Sequence, residues 1–377
     1  MKKKLAITCA SADQIPMVNK AKEMGIETHC FAWDKYENHC VCKHYADYYH
    51  PISILDKEKI LEVCTEIRID GITSVCDAYG APTIAFVAEN MGLIGNKYED
   101  IMITCNKYQA RQFLFKNGVN SPRFAVAQEG QIPDLTGFKY PLIVKPTDRC
   151  ASYGVMKVNT EKELQEALQR AMQTSYIGQA IIEEFITGSE VSAHTISWNG
   201  KHYILAIRDK VTSGAPYFVE IAHHTPSQHS PEIIARLEAE VHKSLDALNI
   251  KYGACDAEFL ITENGEVYVV EINSCWGGDK DYDMIYYSTG LDYMKMVINV
   301  ALGHFEAPVI IPRYYTGVYF LSKEYEWIRQ VIKNKASDPE IIEAEITREE
   351  LYPLQSSVDR SGYFIYKSDR KRTWNGF

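Results

Sequence analysis

Short apolar runs alternate with stretches of helical period over the first hundred residues. The strand-like runs cover residues 5–8, 27–33 and 71–76, and the helical patterns cover residues 13–24, 56–67 and 81–91. Strand–helix alternation at this spacing predicts a parallel, doubly wound sheet. The turn after the first run, residues 9–14, contains no G-x-G-x-x-G, so the pattern does not support dinucleotide binding here. We expect the strand ends to hold part of a small substrate.

The pattern changes beyond residue 103. Helical patterns cover residues 107–116, 161–172, 288–302 and 324–335, and strand-like runs cover residues 121–126, 140–145 and 180–185. The segment at about residues 119–187 predicts a small α+β subdomain of the size of a mobile flap. We therefore predict an α/β domain over residues 1–103, a two-lobed α+β domain over residues 104–307, and a C-terminal α+β segment over residues 308–377.

A hairpin pattern in the last third carries candidate metal ligands. Strand-like runs at residues 257–261 and 267–272 flank Asn264-Gly265, which predicts a two-residue turn. Such a hairpin places Glu258 and Glu271 on adjacent strands, and period-two alternation turns Glu271 and Asn273 to one face. Their hard oxygen ligands suit Mg²⁺ shared with substrate phosphates. From spacing alone, an ordinary edge hairpin with solvated acids is an equally good interpretation of this segment.

A loop of small residues follows a buried strand that ends at Lys145. The loop includes Ser152 and Gly154, so its backbone N–H groups can curl around an anion to which the lysine adds a point charge. This pattern indicates a phosphate cradle, although the G-x-x-x-x-G-K of a Walker loop is absent. A surface turn with a lysine that reaches solvent remains the alternative.

The segment Glu183-Glu184-Phe185-Ile186 joins two apolar runs through a glycine turn. Backbone groups near Phe185 and Ile186 can pair with an adenine edge, as one strand pairs with another. Glu190 can accept hydrogen bonds from ribose hydroxyls. The alternative is a turn of solvated acids.

Composition restricts the class of protein. The 377 residues are 46% hydrophobic and 24% charged, which is typical of a globular protein with a sizeable core. The net charge of −10, with no basic stripe, speaks against nucleic acid as the main partner. Apolar runs are too short to cross a membrane, and Ser11 and Asp13 come too early for a signal peptide, so we expect a cytoplasmic protein without membrane partners.

The ten cysteines form no paired framework, so we expect reduced thiols. One cluster, His39-Cys40-Val41-Cys42-Lys43-His44, has metal-binding residue types. Zinc sites favour wider spacing and a second ligand pair, so we interpret this cluster as a polar loop.

The order of these parts resembles the ATP-grasp superfamily over roughly residues 5–303. The parts are Asn106-Lys107 with Arg111, Lys145 with its loop, the E-E-F-I-x-G-x-E segment from Glu183 to Glu190, Asp256-x-Glu258, and Glu271-x-Asn273. The resemblance implies ATP between two α+β subdomains. It implies Lys107 and Lys145 on the phosphates, Glu183 and the following backbone at adenine, and Glu190 at the ribose. Glu258, Glu271 and Asn273 would then hold Mg²⁺, or Mn²⁺ in its place.

Within the superfamily the chain is most similar to carboxylate–amine ligases that join amino acids, and also to the carbamoyl-phosphate-synthase large subunit. The similar segments are residues 206–210, residues 217–226, Gly277-Gly278-Asp279, and residues 288–292. His223 matches the histidine of the family's E-x-x-H-x-x-P pattern, which implies substrate orientation or proton transfer. A histidine in a polar turn is the alternative.

One departure concerns the residue after Glu271-x-Asn273. The family usually has Pro-Arg there, with arginine on the transferring phosphoryl group, whereas this chain has Ser274-Cys275-Trp276. Either Arg149 or Arg208 takes over this role, or the chemistry is slow or altered. We favour Arg149 because it lies in the phosphate loop.

The resemblance implies a ligase that activates a small-molecule carboxylate as an acylphosphate, with ATP converted to ADP, and transfers it to an amine. An amino acid is the expected amine substrate. One alternative is a purine-pathway or carbamoyl-phosphate-type ligase that uses bicarbonate or a nucleotide-pathway carboxylate. Another is a regulatory protein that binds Mg·ATP without catalysis. A homodimer is the expected assembly by frequency.

Overall fold

The computed structural model describes residues 2–33, 40–131 and 133–375 of the chain. The strands within these residues are β1 (Lys4–Thr8), β2 (Glu27–Phe31), β3 (Tyr48–His50), β4 (Gly71–Thr73), β5 (Phe124–Gln128), β6 (Leu142–Pro146), β7 (Met156–Val158), β8 (Gln179–Glu184), β9 (Ser189–Trp198), β10 (Lys201–Thr212), β11 (Glu220–Thr225), β12 (Gly253–Ile261), β13 (Val267–Asn273), β14 (Tyr315–Leu321), β15 (Ile341–Ile346) and β16 (Gly362–Ser368). The helices are α1 (Ile15–Glu23), α2 (Lys57–Ile67), α3 (Ala81–Met91), α4 (Tyr98–Thr104), α5 (Lys107–Lys116), α6 (Glu161–Thr174), α7 (Pro231–Ala247), α8 (Asp281–Thr289), α9 (Tyr293–Ala301) and α10 (Trp327–Lys333).

The N-terminal sheet has the order β3-β2-β1-β4, and all of its strand pairs are parallel. Successive side chains of β1 point to opposite faces, so Leu5 and Ile7 pack with Met17 of α1 while Ala6 packs with Ile60 of α2 and Val87 of α3. Burial on both faces explains the continuous apolar run of β1. The predicted parallel sheet is confirmed.

A second, antiparallel sheet has the order β5-β8-β6-β7 and is covered on one face by α6. Leu164 and Leu168 of the helix pack against Leu142 and Val144 of β6. Thr160 caps the helix, because its side chain accepts a hydrogen bond from the Glu163 N–H. This unit is the small α+β subdomain that the sequence predicts, and we call it the flap.

The largest sheet has eight strands in the order β13-β12-β9-β10-β11-β14-β16-β15, and its neighbouring strands are antiparallel. One face is apolar, and there Leu237 and Val241 of α7 pack with Ala257 and Phe259 of β12. The other face carries charged residues at β10 and β12, whereas at β14 and β16 it is apolar and packs with Met284 of α8. The C-terminal strands join this sheet where β11 pairs with β14, so the predicted C-terminal segment extends the central sheet. The proposed domain boundaries stay a prediction.

Two helical predictions need correction. The pattern over residues 288–302 is not one helix, because Gly290 adopts φ +81° after α8 and the Asp292 side chain then caps α9. The pattern over residues 324–335 corresponds to the shorter α10.

The cysteines are free thiols, and Cys40 and Cys42 are buried in the core. His39 of the same cluster lies outside the described residues. Among the helices of the described chain, none has the length and apolar character that crossing a bilayer requires.

Candidate active site

A cavity of about 810 Å³ lies between the flap, the charged face of the central sheet and the end of the N-terminal sheet. The predicted site residues that line it are Lys107, Lys145, Arg149, Ser152, Glu183, Glu184, Phe185, Ile186, Glu190, Arg208, Glu258, Glu271 and Asn273. Gly154 and His223 do not line it. Residues more than 150 positions apart in sequence therefore meet in one cavity.

The β12–β13 hairpin places its acids as the pattern predicts, although its turn differs. Glu258 pairs with Glu271 across the two strands. The turn is longer than two residues, since Thr262 N–H donates to the Glu266 carbonyl at 3.0 Å. An extra residue in β13, Val270, forms a bulge that restores the register before Glu271.

Lys107 joins the hairpin to the flap. Its Nζ lies 2.8 Å from Glu271 Oε1 and 2.6 Å from the carbonyl oxygen of Arg149 in the flap loop. Burial lowers the pKa of Lys107, but the adjacent Glu271 carboxylate outweighs burial and raises it, so the ammonium stays charged. Lys107 therefore brings a fixed positive charge next to the candidate metal ligands.

Glu183 forms a buried ion-pair cluster with Arg111 and Lys145. Its Oε1 lies 2.6 Å from Arg111 Nη2, and its Oε2 lies 2.7 Å from Lys145 Nζ. Burial opposes ionisation of Glu183, yet the two cations lower its pKa to about 2. The carboxylate is thus engaged with Lys145 and Arg111, a contact that the motif does not indicate. The side chain positions Lys145. The N–H of the following Phe185 donates to the Pro141 carbonyl oxygen at 3.0 Å.

Lys210 on β10 lies among three carboxylates and was missed by the sequence analysis. Its Nζ lies 3.0 Å from both Glu220 and Glu258 and 3.7 Å from Glu190. Burial raises the pKa of Glu190, and Lys210 partly opposes this shift. Side chains two positions apart on a strand share a face, so Lys210 lies on the same face of β10 as Arg208. This spacing is the sequence signal that could have identified Lys210 as a site residue.

The two candidate arginines differ in their surroundings. Arg208 is 3% exposed, donates from Nε to Ser192 Oγ at 2.6 Å, and pairs with Asp281 through Nη1. The Arg149 guanidinium lies over the rings of Tyr153 and Tyr176, at 4.9 and 4.4 Å from their centroids. The buried Nε of Arg149 has no hydrogen-bond partner. Arg149 is therefore the arginine with donor capacity to spare.

The two predicted site residues that do not line the cavity, His223 and Gly154, contact residues close to its wall. His223 is buried, and its Nε2 lies 3.0 Å from Asp279 Oδ2. Burial and Arg208 lower the pKa of His223 to about 3, so the ring is neutral at physiological pH. Gly154 adopts φ +82°, and a Cβ there would lie 2.9 Å from Pro146. Gly154 allows the flap loop its turn.

The candidate metal ligands retain coordinating capacity. The lysine contacts use Oε1 of Glu271 and Oε2 of Glu258, so each acid can offer its second oxygen. Asn273 lies two residues after Glu271 on β13, opposite Asp256 of β12, and adds an amide oxygen. This all-oxygen set fits Mg²⁺.

Comparison with known proteins adds a family assignment to this geometry. Residues 138–282, which run from the flap through the β12–β13 hairpin, match the model of the ATP-grasp domain. This part of the chain is an ATP-grasp domain. The same segment contains Lys145, strand β8 with the Glu183–Ile186 segment, and the three candidate metal ligands.

Relatives and solved structures extend the similarity. The chain is 29% identical over 202 residues to a D-alanine–D-alanine ligase of Geobacter sulfurreducens, which covers 52% of this chain and 63% of that protein. It is 26% identical over 269 residues to the carbamoyl phosphate synthase large chain of Thermoanaerobacter sp., which covers 68% of this chain and 24% of that one. The chain therefore spans less than two thirds of either relative.

A crystal structure of an L-amino acid ligase from Bacillus licheniformis superposes with a TM-score of 0.81 at 23% identity, and covers 98% of this chain and 94% of that chain. Nearly the whole chain, from the parallel N-terminal sheet to the C-terminal strands, therefore shares the fold of that structure, and the predicted fold class is confirmed.

Proposed function

We propose that the protein is an ADP-forming carbon–nitrogen ligase that activates a small-molecule carboxylate with ATP and joins it to an amine of an amino acid. One observation carries this proposal: Lys107 and Lys145 share a cavity wall with three oxygen ligands on the neighbouring hairpin. Cations beside a magnesium-type ligand set are what phosphoryl transfer requires, because its catalysis rests on positioning and charge neutralisation. The amino-acid ligases among the similar proteins support the substrate class.

In this proposal each wall of the cavity binds one part of the nucleotide. Phe185 and Ile186 offer backbone groups to adenine, Glu190 accepts from the ribose, and the loop around Ser152 wraps the phosphates. Glu258, Glu271 and Asn273 hold Mg²⁺, or Mn²⁺ in its place, which would neutralise charge on the β- and γ-phosphates.

The reaction then needs little covalent help from the chain. A substrate carboxylate oxygen bonds to the γ-phosphorus and ADP leaves, which gives an acylphosphate. The amine nitrogen bonds to the acyl carbon, phosphate leaves, and the amine loses a proton. Because water would hydrolyse the acylphosphate, the flap over the cavity protects the intermediate.

A substrate screen tests the function. Purified protein with Mg·ATP is incubated with pairs of amino acids, and separately with bicarbonate, and phosphate release is read together with mass detection of coupled products. We expect release that depends on an amino-acid pair and yields an amide. Release with bicarbonate would instead favour the carbamoyl-phosphate type, which the similarity to that synthase supports. Nucleotide binding without turnover across the whole panel would contradict a ligase.

Arg149 is proposed to replace the family arginine that is missing at Cys275. Its carbonyl accepts from Lys107 beside Glu271, so the residue lies next to the proposed phosphate path, and its guanidinium has a free donor. We expect Arg149→Ala to lower substrate-dependent phosphate release about 100-fold.

The matched control is Arg170→Ala, which removes an exposed arginine from the flap helix and should leave turnover unchanged. Turnover of Arg149→Ala equal to that of the wild type would assign the role elsewhere, with Arg208 the next candidate.

A further inference from the structure

Three side chains of different elements converge beneath the floor of the cavity. His194 of β9 lies directly opposite Asp256 of β12, one row from the Glu258 pair. Asp281 is the first residue of α8 and follows the loop after the β12–β13 hairpin, and its side chain lies next to the other two. These three residues are 1%, 3% and 2% exposed, respectively. The cluster is therefore almost fully buried, and of its three residues only Asp256 lines the cavity.

The distances within the cluster are not those of hydrogen bonds. His194 Nδ1 lies 3.5 Å from Asp256 Oδ1 and 3.5 Å from Asp281 Oδ2. Each of these three buried atoms lacks a hydrogen-bond partner. Two ligands of a tetrahedral ion with bonds of about 2.1 Å are about 3.4 Å apart. Both histidine-to-carboxylate separations thus match those expected across a bound ion, and a buried carboxylate oxygen left without any partner is costly.

The charge around the cluster also favours a cation. The carboxylates on this side of the sheet include Glu190, Glu220, Asp256, Glu258, Glu271, Asp279 and Asp281, and the cations beside them are Lys107, Arg208, Lys210 and Arg360. Arg208 engages Oδ1 of Asp281 but leaves Oδ2 facing His194. The seven carboxylates exceed the four cations by three, so the region has negative charge available for a divalent ion.

We propose that His194, Asp256 and Asp281 bind a divalent transition-metal ion, Zn²⁺ or Mn²⁺, in addition to the magnesium of the nucleotide site. A set of one imidazole nitrogen and two carboxylate oxygens suits these ions, whereas Mg²⁺ prefers oxygen alone. The ion binds without nucleotide, because all three ligands belong to the protein.

The position of the site indicates what the ion does. Gly277 lies over it, since a Cβ there would collide with Asp281 Oδ2 and come within 3.0 Å of Asp256 Oδ2. The loop of residues 274–280 lines the substrate cavity between β13 and α8. An ion held by β9, β12 and the start of α8 therefore fixes this loop against the sheet.

The test is metal content in the absence of nucleotide and substrate. The full chain is stripped with a chelator, dialysed and titrated with Zn²⁺ or Co²⁺. We expect one tightly bound ion per chain by mass spectrometry, a visible Co²⁺ absorption band and a higher Tm after reloading. Glu271→Gln, which alters the nucleotide site, should bind the same ion.

Two variants locate the ion. His194→Gln and Asp256→Asn should each lose it, whereas His224→Gln, a control at an equally buried histidine of β11, two strands from β9 in the same sheet, should retain it. Circular dichroism verifies that each variant is folded. Wild-type protein that binds no ion after reloading would overturn the site, as would full stoichiometry in both variants. Neither readout requires turnover, so this result is independent of the ligase assignment.

Discussion

Replacing Glu271 with glutamine is expected to lower ATP-dependent phosphate release by at least about 100-fold. Glu271 is the residue at which the proposed metal site and the proposed phosphate site meet, because it lies opposite Glu258 and 2.8 Å from Lys107. Glutamine keeps the size of the side chain but removes a negative charge from the ligand set, so the metal binds less tightly. Measured turnover should fall, and the Mg²⁺ concentration needed for half-maximal rate should rise.

Glu263→Gln is the matched control, because Glu263 is an exposed acid in the turn of the same hairpin. It makes the same chemical change five residues beyond Glu258, which is about 16 Å along the strand, and it should leave both quantities unchanged. Near-normal turnover in Glu271→Gln, in protein that is folded by circular dichroism, would remove the basis of the metal assignment.

Local patterns in the sequence predicted the elements that build the cavity. Alternation and the Asn264-Gly265 signal were sufficient to bring Glu258 opposite Glu271. The longer turn did not disturb this pairing because the bulge at Val270 compensates for it. Turn length and bulge depend on the contacts of neighbouring strands, which the local pattern does not contain.

Contacts between distant segments could not be predicted in the same way. Arg111 reaches Glu183 across 72 residues, and Arg360 reaches Asp279 across 81. The sequence around each of these residues is ordinary for a helix, strand or loop and does not indicate a partner. The ion pairs form only because the sheets bring the distant segments together. The ion-pair partners of the site are therefore the part that required the structure.

The Glu183 cluster leads to the largest expected effect on stability. Glu183→Gln leaves Arg111 and Lys145 buried without their counter-charge, so we expect the free energy of unfolding at pH 7 to fall by about 3–5 kcal/mol. The neighbouring Glu184 is the matched control. It is half-buried and accepts a single hydrogen bond, from the Lys139 N–H at 2.9 Å, so Glu184→Gln should cost about 1 kcal/mol or less. Urea denaturation measures both.

The same cluster predicts the pH dependence of this loss. The pKa of Glu183 falls from its ordinary 4.5 to about 2 in the folded protein, so the ionised form stabilises the fold fully above about pH 5. As the pH falls from 5 towards 2, Glu183 becomes protonated in the unfolded chain before it does so in the folded chain. The free energy of unfolding therefore decreases by about 3 kcal/mol. The glutamine variant cannot lose this contribution. The stability difference between wild type and Glu183→Gln should therefore shrink between pH 5 and pH 3, and an equal difference at pH 7 and pH 3 would show that the ion pairs are not its cause.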